Sequence, residues 1–126
     1  MKRIAFIINP ISGNGTQADE ITYELLQTYF SNKEYEVRRQ IIERKGGTSE
    51  LVQQAIDWNA DIVVACGGDG TINEVARHLV ETNITLGIIP RGSGNGLASH
   101  LKIPKQIGDC LHIIKNGLSI SIDTAM

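Results

Sequence analysis

The chain reads as short apolar runs that alternate with stretches of helical spacing. Arg3–Asn9 (RIAFIIN) is rich in isoleucine and ends before Pro10, the signature of a buried strand. Thr16 and Asp19 fit an N-terminal capping box, and Ala18, Ile21, Leu25 and Tyr29 then recur on one helical face. Tyr35–Ile42 (YEVRRQII) is a weaker, partly alternating strand, followed by a turn at Gly46-Gly47-Thr48. Leu51, Val52, Ala55 and Ile56 mark a second helix that ends near Asn59. Ile62–Cys66 (IVVAC) is the clearest strand and runs directly into Gly67-Gly68-Asp69-Gly70. Thr71 and Glu74 fit another capping box, with Ile72, Val75, Ala76 and Leu79 facing inward behind it. Thr85–Ile89 is the fourth strand, closed by Pro90 and a third glycine loop, Gly92–Gly96, after which a short helix runs to about Leu101. Ile107, Leu111 and Ile114 mark a last helix, and Ser119–Asp123 begins a fifth strand.

Strands that alternate with helices imply βαβ units and a parallel sheet covered on both faces. The expected fold is α/β: a Rossmann-like three-layer arrangement with about five strands in this chain. The residues Asp123–Met126 follow a strand without a closing helix, so a domain boundary is expected there.

Composition narrows the function. The chain has 126 residues, 41% hydrophobic and 21% charged, which excludes a disordered or low-complexity segment. A net charge of -2 gives no electrostatic footprint for nucleic acid. The longest apolar runs, such as Ile4–Ile8, are far shorter than the roughly 20 residues of a membrane span. Lys2 and Arg3 precede an apolar stretch too short for a secretory signal, so a cytoplasmic chain is expected. Cys66 and Cys110 fit no CxxC pattern and read as reduced, packed thiols. His78, His100 and His112 lack metal-ligand spacing and read as helix-surface or packed residues. Trp58 is expected to pack or cap the second helix. Lys33, Arg38, Arg39, Arg44 and Lys45 read as solvated charge.

The candidate chemistry lies in the glycine loops. Ligands of open α/β sheets bind outside the carboxyl ends of the strands. Three loops follow strands, Ile11–Thr16, Gly67–Gly70 and Gly92–Gly96, and the Gly46-Gly47 turn precedes a helix. Gly67-Gly68-Asp69-Gly70-Thr71 is the sharpest. Its glycines admit a phosphate close to the backbone, and the helix that follows presents free N–H groups to an anion. Asp69 among phosphates calls for a cation, directly or through water. The plainer reading is an Asp-Gly turn before a capped helix. Asn9 can hydrogen-bond the neighbouring loops, and Ser12 and Gly13 can meet phosphate, although Asn, Pro, Ser and Gly equally favour a simple turn. Pro90-Arg91-Gly92-Ser93-Gly94-Asn95-Gly96 offers a hydroxyl, an amide and a guanidinium near the same edge, or else a flexible loop. There is no Walker A motif, no full GxGxxG fingerprint and no GxSxG elbow.

These motifs together resemble the nucleotide-binding domain of the diacylglycerol kinase catalytic family, which includes diacylglycerol, sphingosine and ceramide kinases within the NAD kinase/diacylglycerol kinase-like superfamily. The resemblance covers the whole chain. It rests on Asn9-Pro10-Ile11-Ser12-Gly13, on Gly67-Gly68-Asp69-Gly70-Thr71-Ile72-Asn73-Glu74-Val75, and on Leu86-Gly87-Ile88-Ile89-Pro90 with Gly92-Ser93-Gly94-Asn95. It implies transfer of the ATP γ-phosphate to a lipid hydroxyl with Mg²⁺, in a cleft shared with a C-terminal β-sandwich that this chain lacks. Asn9, Pro10, Ile11, Ser12, Gly13, Thr48, Gly67, Gly68, Asp69, Gly70, Thr71, Ile72, Asn73 and Ser93 match the family's nucleotide-contact positions. Asp69 matches the signature aspartate, and Asp123 resembles an acidic position that supports the metal network.

Many diacylglycerol-type members carry an Asp where this chain has Gly96. The loop here is closer to the sphingosine kinase version, which leaves the acceptor lipid open. The β-sandwich would supply the lipid pocket, the general base and any peripheral membrane contact. The 126 residues alone are therefore expected to bind nucleotide weakly and not to turn over, and an exposed sheet edge could pair them as a homodimer. Two other readings stand beside this one: an NAD kinase-like enzyme, and a nucleotide-binding module without catalysis.

Overall fold

The computed structural model describes residues 1–12, 15–16, 21–31, 33–44, 46–90 and 107–115. Among the described residues the main sheet has four parallel strands: β1 (Lys2–Ile8), β4 (Tyr35–Ile41), β5 (Ile62–Gly67) and β6 (Thr85–Pro90), in the order β4-β1-β5-β6. Ile4 pairs with both Val37 and Ile62, and Ile62 pairs with Thr85. Between β1 and the first helix, β2 (Ile11–Ser12) and β3 (Gly15–Thr16) form a small antiparallel pair, where the sequence suggests only a glycine-rich loop. The described helices are α1 (Tyr23–Tyr29), α2 (Thr48–Asp57), α3 (Asp69–Leu79) and α4 (Ile107–Lys115). The expected fifth strand, Ser119–Asp123, and the short helix near Leu101 lie outside the described residues.

The strand sequences explain their places. All six residues of β5 are buried, as an apolar run between two other strands requires. At the sheet edge β4 alternates, with Glu36 and Arg38 exposed, and such charges discourage further pairing. Because side chains alternate across a strand, β1 and β5 feed two cores. Ile4, Phe6, Ile8, Val64 and Cys66 pack with Leu26, Cys110, Leu111 and Ile114 of α1 and α4. Ala5, Ile7, Val63 and Ala65 pack with Val52, Ala55, Ile72, Val75 and Leu79 of α2 and α3. The three-layer α/β/α reading therefore holds.

The described helix α1 is capped by Thr22, whose Oγ1 accepts the Leu25 N–H at 3.2 Å. Thr16 lies in β3, and Asp19 of the expected capping box lies outside the described residues. The second capping box is corrected. Thr71 lies inside α3, two residues beyond its first residue Asp69, and the N-cap is Gly68. Glycine adopts the extended cap backbone as readily as threonine, so the helix begins earlier than the side-chain pattern suggests.

Candidate nucleotide site

In a parallel sheet every strand ends at the same edge, so Asn9, Ile42, Asp69 and Pro90 mark one rim. The chain leaves β1 through α1 on one face to reach β4, and leaves β5 through α3 on the other face to reach β6. The crevice between β1 and β5 is therefore the point where the winding reverses, the usual ligand position in open α/β sheets.

Asn9 sits in that crevice. Its backbone N–H donates to Cys66 O at 2.9 Å, which extends the β1–β5 ladder by one bond. Its side-chain Nδ2 donates to Thr71 Oγ1 at 3.0 Å, so the partner of Asn9 is the first turn of α3 where the sequence suggests a loop. Thr71 is buried at 8% exposure. Gly67 makes room for it: a Cβ at position 67 would lie 2.8 Å from both Cβ and Oγ1 of Thr71. Gly70 has no such packing reason, because a Cβ there would meet nothing within 4 Å. Glycine in a first helical turn with open space in front leaves room for a close approach from outside.

The rest of the motif divides between site and core. Asp69 is half-buried at the start of α3, where the positive end of the helix favours its carboxylate. Asn73 is exposed. Ile72 is fully buried and its N–H donates to Gly68 O, so its side chain serves the core. Thr48 starts α2 at the same rim and is 4% exposed. Pro10 is half-buried, and Ile11 and Ser12 form β2. Gly13, Ser93 and Asp123 lie outside the described residues.

The two helices that start at this rim share an electrostatic property. The N-caps of α2 and α3 are Gly47 and Gly68, and neither helix has a side-chain cap bond, whereas α1 is capped by Thr22. Their first-turn N–H groups are thus available to water or an anion. The approach to α2 turns at Gly46, whose φ of 84° is left-handed. On its outer side Arg44 Nη2 meets Glu50 Oε2 at 2.6 Å, which raises the guanidinium pKa.

Among the described residues no group of three or more His, Cys, Asp or Glu could hold a metal. His78 and His112 are exposed, as expected. Cys66 and Cys110 are buried thiols outside any disulfide, and burial, with Cys110 nearby, pushes the Cys66 pKa up.

The sequence reading missed three contacts. The steric fit of Gly67 to Thr71 has no sequence signal beyond the glycine itself. Arg39 is not simple solvated charge: its Nε donates to Ile21 O at 2.6 Å and ties β4 to the approach to α1. Arg38 stacks 4.3 Å from the Trp58 ring, and Trp58 is the C-cap of α2. Trp58 caps α2 and packs against the core beside it, both as the sequence suggests; its contact with Arg38 is what the sequence does not show.

Comparison with known proteins bears on this site. A family model described as the diacylglycerol kinase catalytic domain matches residues 3–126. A diacylglycerol kinase of Staphylococcus aureus (strain JH9) is 33% identical over 124 residues, covering 97% of this chain and 39% of that protein. A Klebsiella pneumoniae (strain 342) protein named "Probable lipid kinase YegS-like" is 32% identical over 114 residues, 89% of this chain and 38% of that protein. An uncharacterized Synechocystis protein is 35% identical over 95% of this chain. The chain spans 30% to 39% of the length of these relatives. A crystal structure of a diacylglycerol kinase from Bacillus anthracis shares the fold, with a TM-score of 0.68 over 92% of this chain and 42% of that one, at 22% identity. No helix among the described residues is long and apolar enough to cross a membrane.

Proposed function

The chain belongs to the diacylglycerol kinase catalytic domain family, and from that premise we propose that it is the ATP-binding part of a Mg²⁺-dependent lipid kinase. The observation that carries the reading is the β1–β5 crevice. Asn9, Gly67 and the open first turn of α3 meet there, with Asp69 at the helix start.

Phosphoryl transfer needs positioning and charge neutralisation more than covalent chemistry. The first-turn N–H groups of α3 would receive phosphate oxygens, and Gly70 would let them approach. Asp69 would hold Mg²⁺ together with the nucleotide, directly or through water. The metal, when bound, neutralises phosphate charge and draws electron density from the transferred group. Ser12, Gly13, Asn73 and Ser93, with the backbone N–H of the buried Thr48 at the start of α2, would complete the nucleotide contacts, and Asp123 would support the metal. The lipid pocket and the base that takes the acceptor's proton would come from a further domain, outside these 126 residues.

Labelled ATP offered with diacylglycerol, a sphingoid base, ceramide and NAD, each with and without Mg²⁺, tests the reading. We expect Mg²⁺-dependent transfer to one lipid by the protein with its lipid-binding domain, and loss of transfer in Asp69→Ala with the fold retained. Transfer to NAD would move the assignment to NAD kinases. Metal-independent nucleotide binding without transfer to any acceptor would mark a binding module.

A further inference from the structure

We infer that Asn9 and Thr71 are positioning residues: a strut that fixes the first turn of α3, and with it Asp69, against the ends of β1 and β5. The inference rests on the nucleotide reading above and assigns Thr71 a role different from direct ligand contact.

Asn9 holds both sides of Gly67. Its N–H donates to Cys66 O, one residue before the glycine, and its Nδ2 donates to Thr71 Oγ1, four residues after it. Thr71 fills the space in front of Gly67, so backbone, hydroxyl and methyl interlock at one place. The hydroxyl oxygen accepts from Asn9, and at 8% exposure Thr71 offers little surface to a ligand. Asp69 lies two residues before Thr71 in the same turn, so a rotation of this turn would carry its carboxylate with it. Threonine supplies both properties, since valine keeps the packing without the acceptor and serine keeps the acceptor without the methyl.

The test compares Thr71→Val, Thr71→Ser, Asn9→Ala and the double variant Asn9→Ala/Thr71→Val in the protein. The readouts are urea unfolding without nucleotide, amide resonances of Asp69 and Gly70, and MgATP kinetics. A displaced metal-orienting group costs about 10–100-fold in activity. We expect Thr71→Val to shift both resonances and lower kcat by about that factor, with KM for ATP within about 3-fold. Thr71→Ser should restore most of kcat, and the double variant should be no worse than the poorer single one. Unshifted resonances, additive unfolding effects, or a raised KM with intact kcat would overturn the strut. Absence of MgATP binding and transfer in the wild type would instead sink the nucleotide reading, while the resonances and the unfolding cycle would still decide the strut.

Discussion

Thr71 occupies the space that a side chain on Gly67 would need. A Cβ at 67 would come within 2.8 Å of Thr71 Cβ and Oγ1, closer than real Cβ atoms approach. Gly67→Ala should therefore destabilise the protein by about 1–3 kcal/mol, the usual cost of overpacking. Trimming the opposing group in Gly67→Ala/Thr71→Ala should recover part of the loss. Denaturant unfolding of the wild type and the two variants checks this; equal stability of wild type and Gly67→Ala would refute it.

Gly70 should behave in the opposite way. It sits in the first turn of α3 with open space before it. Alanine is the better helix former, so Gly70→Ala should raise stability by up to about 1 kcal/mol. The added methyl should obstruct an approaching phosphate and weaken MgATP binding. Calorimetric titration beside thermal unfolding separates the two effects. A variant that is more stable and binds ATP as tightly as wild type would remove Gly70 from the phosphate path.

The buried thiol makes stability pH-dependent. Burial pushes the Cys66 pKa above its ordinary value, so the folded state keeps its proton where the unfolded chain releases it. Its contribution is complete below the unfolded thiol pKa of about 8.5 and declines as pH rises beyond it. Unfolding free energy should fall more steeply between pH 8.5 and 10 in wild type than in Cys66→Ala. In the folded state Cys66 and Cys110 should resist a thiol reagent until denaturant is added.

Two aromatic contacts and one ion pair give a contrast in magnitude. Phe30 is fully buried, with ring centroids 5.9 Å from Phe6 and 5.2 Å from Tyr35. Phe30→Ala should cost about 3–5 kcal/mol. The Arg44–Glu50 pair lies in solvent, at 68% and 61% side-chain exposure, so Glu50→Gln should leave stability unchanged within error. Urea midpoints of both variants test the ranking.

The chain by itself determined its strands, its layers and the place of its chemistry. The β-branched run Ile62–Cys66, the helical stripe Ile72-Val75-Ala76-Leu79 and the Gly-Gly-Asp-Gly segment between them are local signals, because burial on both strand faces and one helix face dictates residue type. Asn9 was also legible as a residue that bonds a neighbouring loop, since an amide at a strand end has few other partners. The tertiary structure alone decided that the partner is Thr71, inside the first turn of α3. It moved the start of α3 to Asp69 and turned Thr71 from a helix cap into the partner of Asn9. It also drew Arg39 from solvent to Ile21. Each of these depends on contacts between residues 18 to 62 positions apart, or on a steric fit inside one turn, and neither leaves a periodic trace in the sequence.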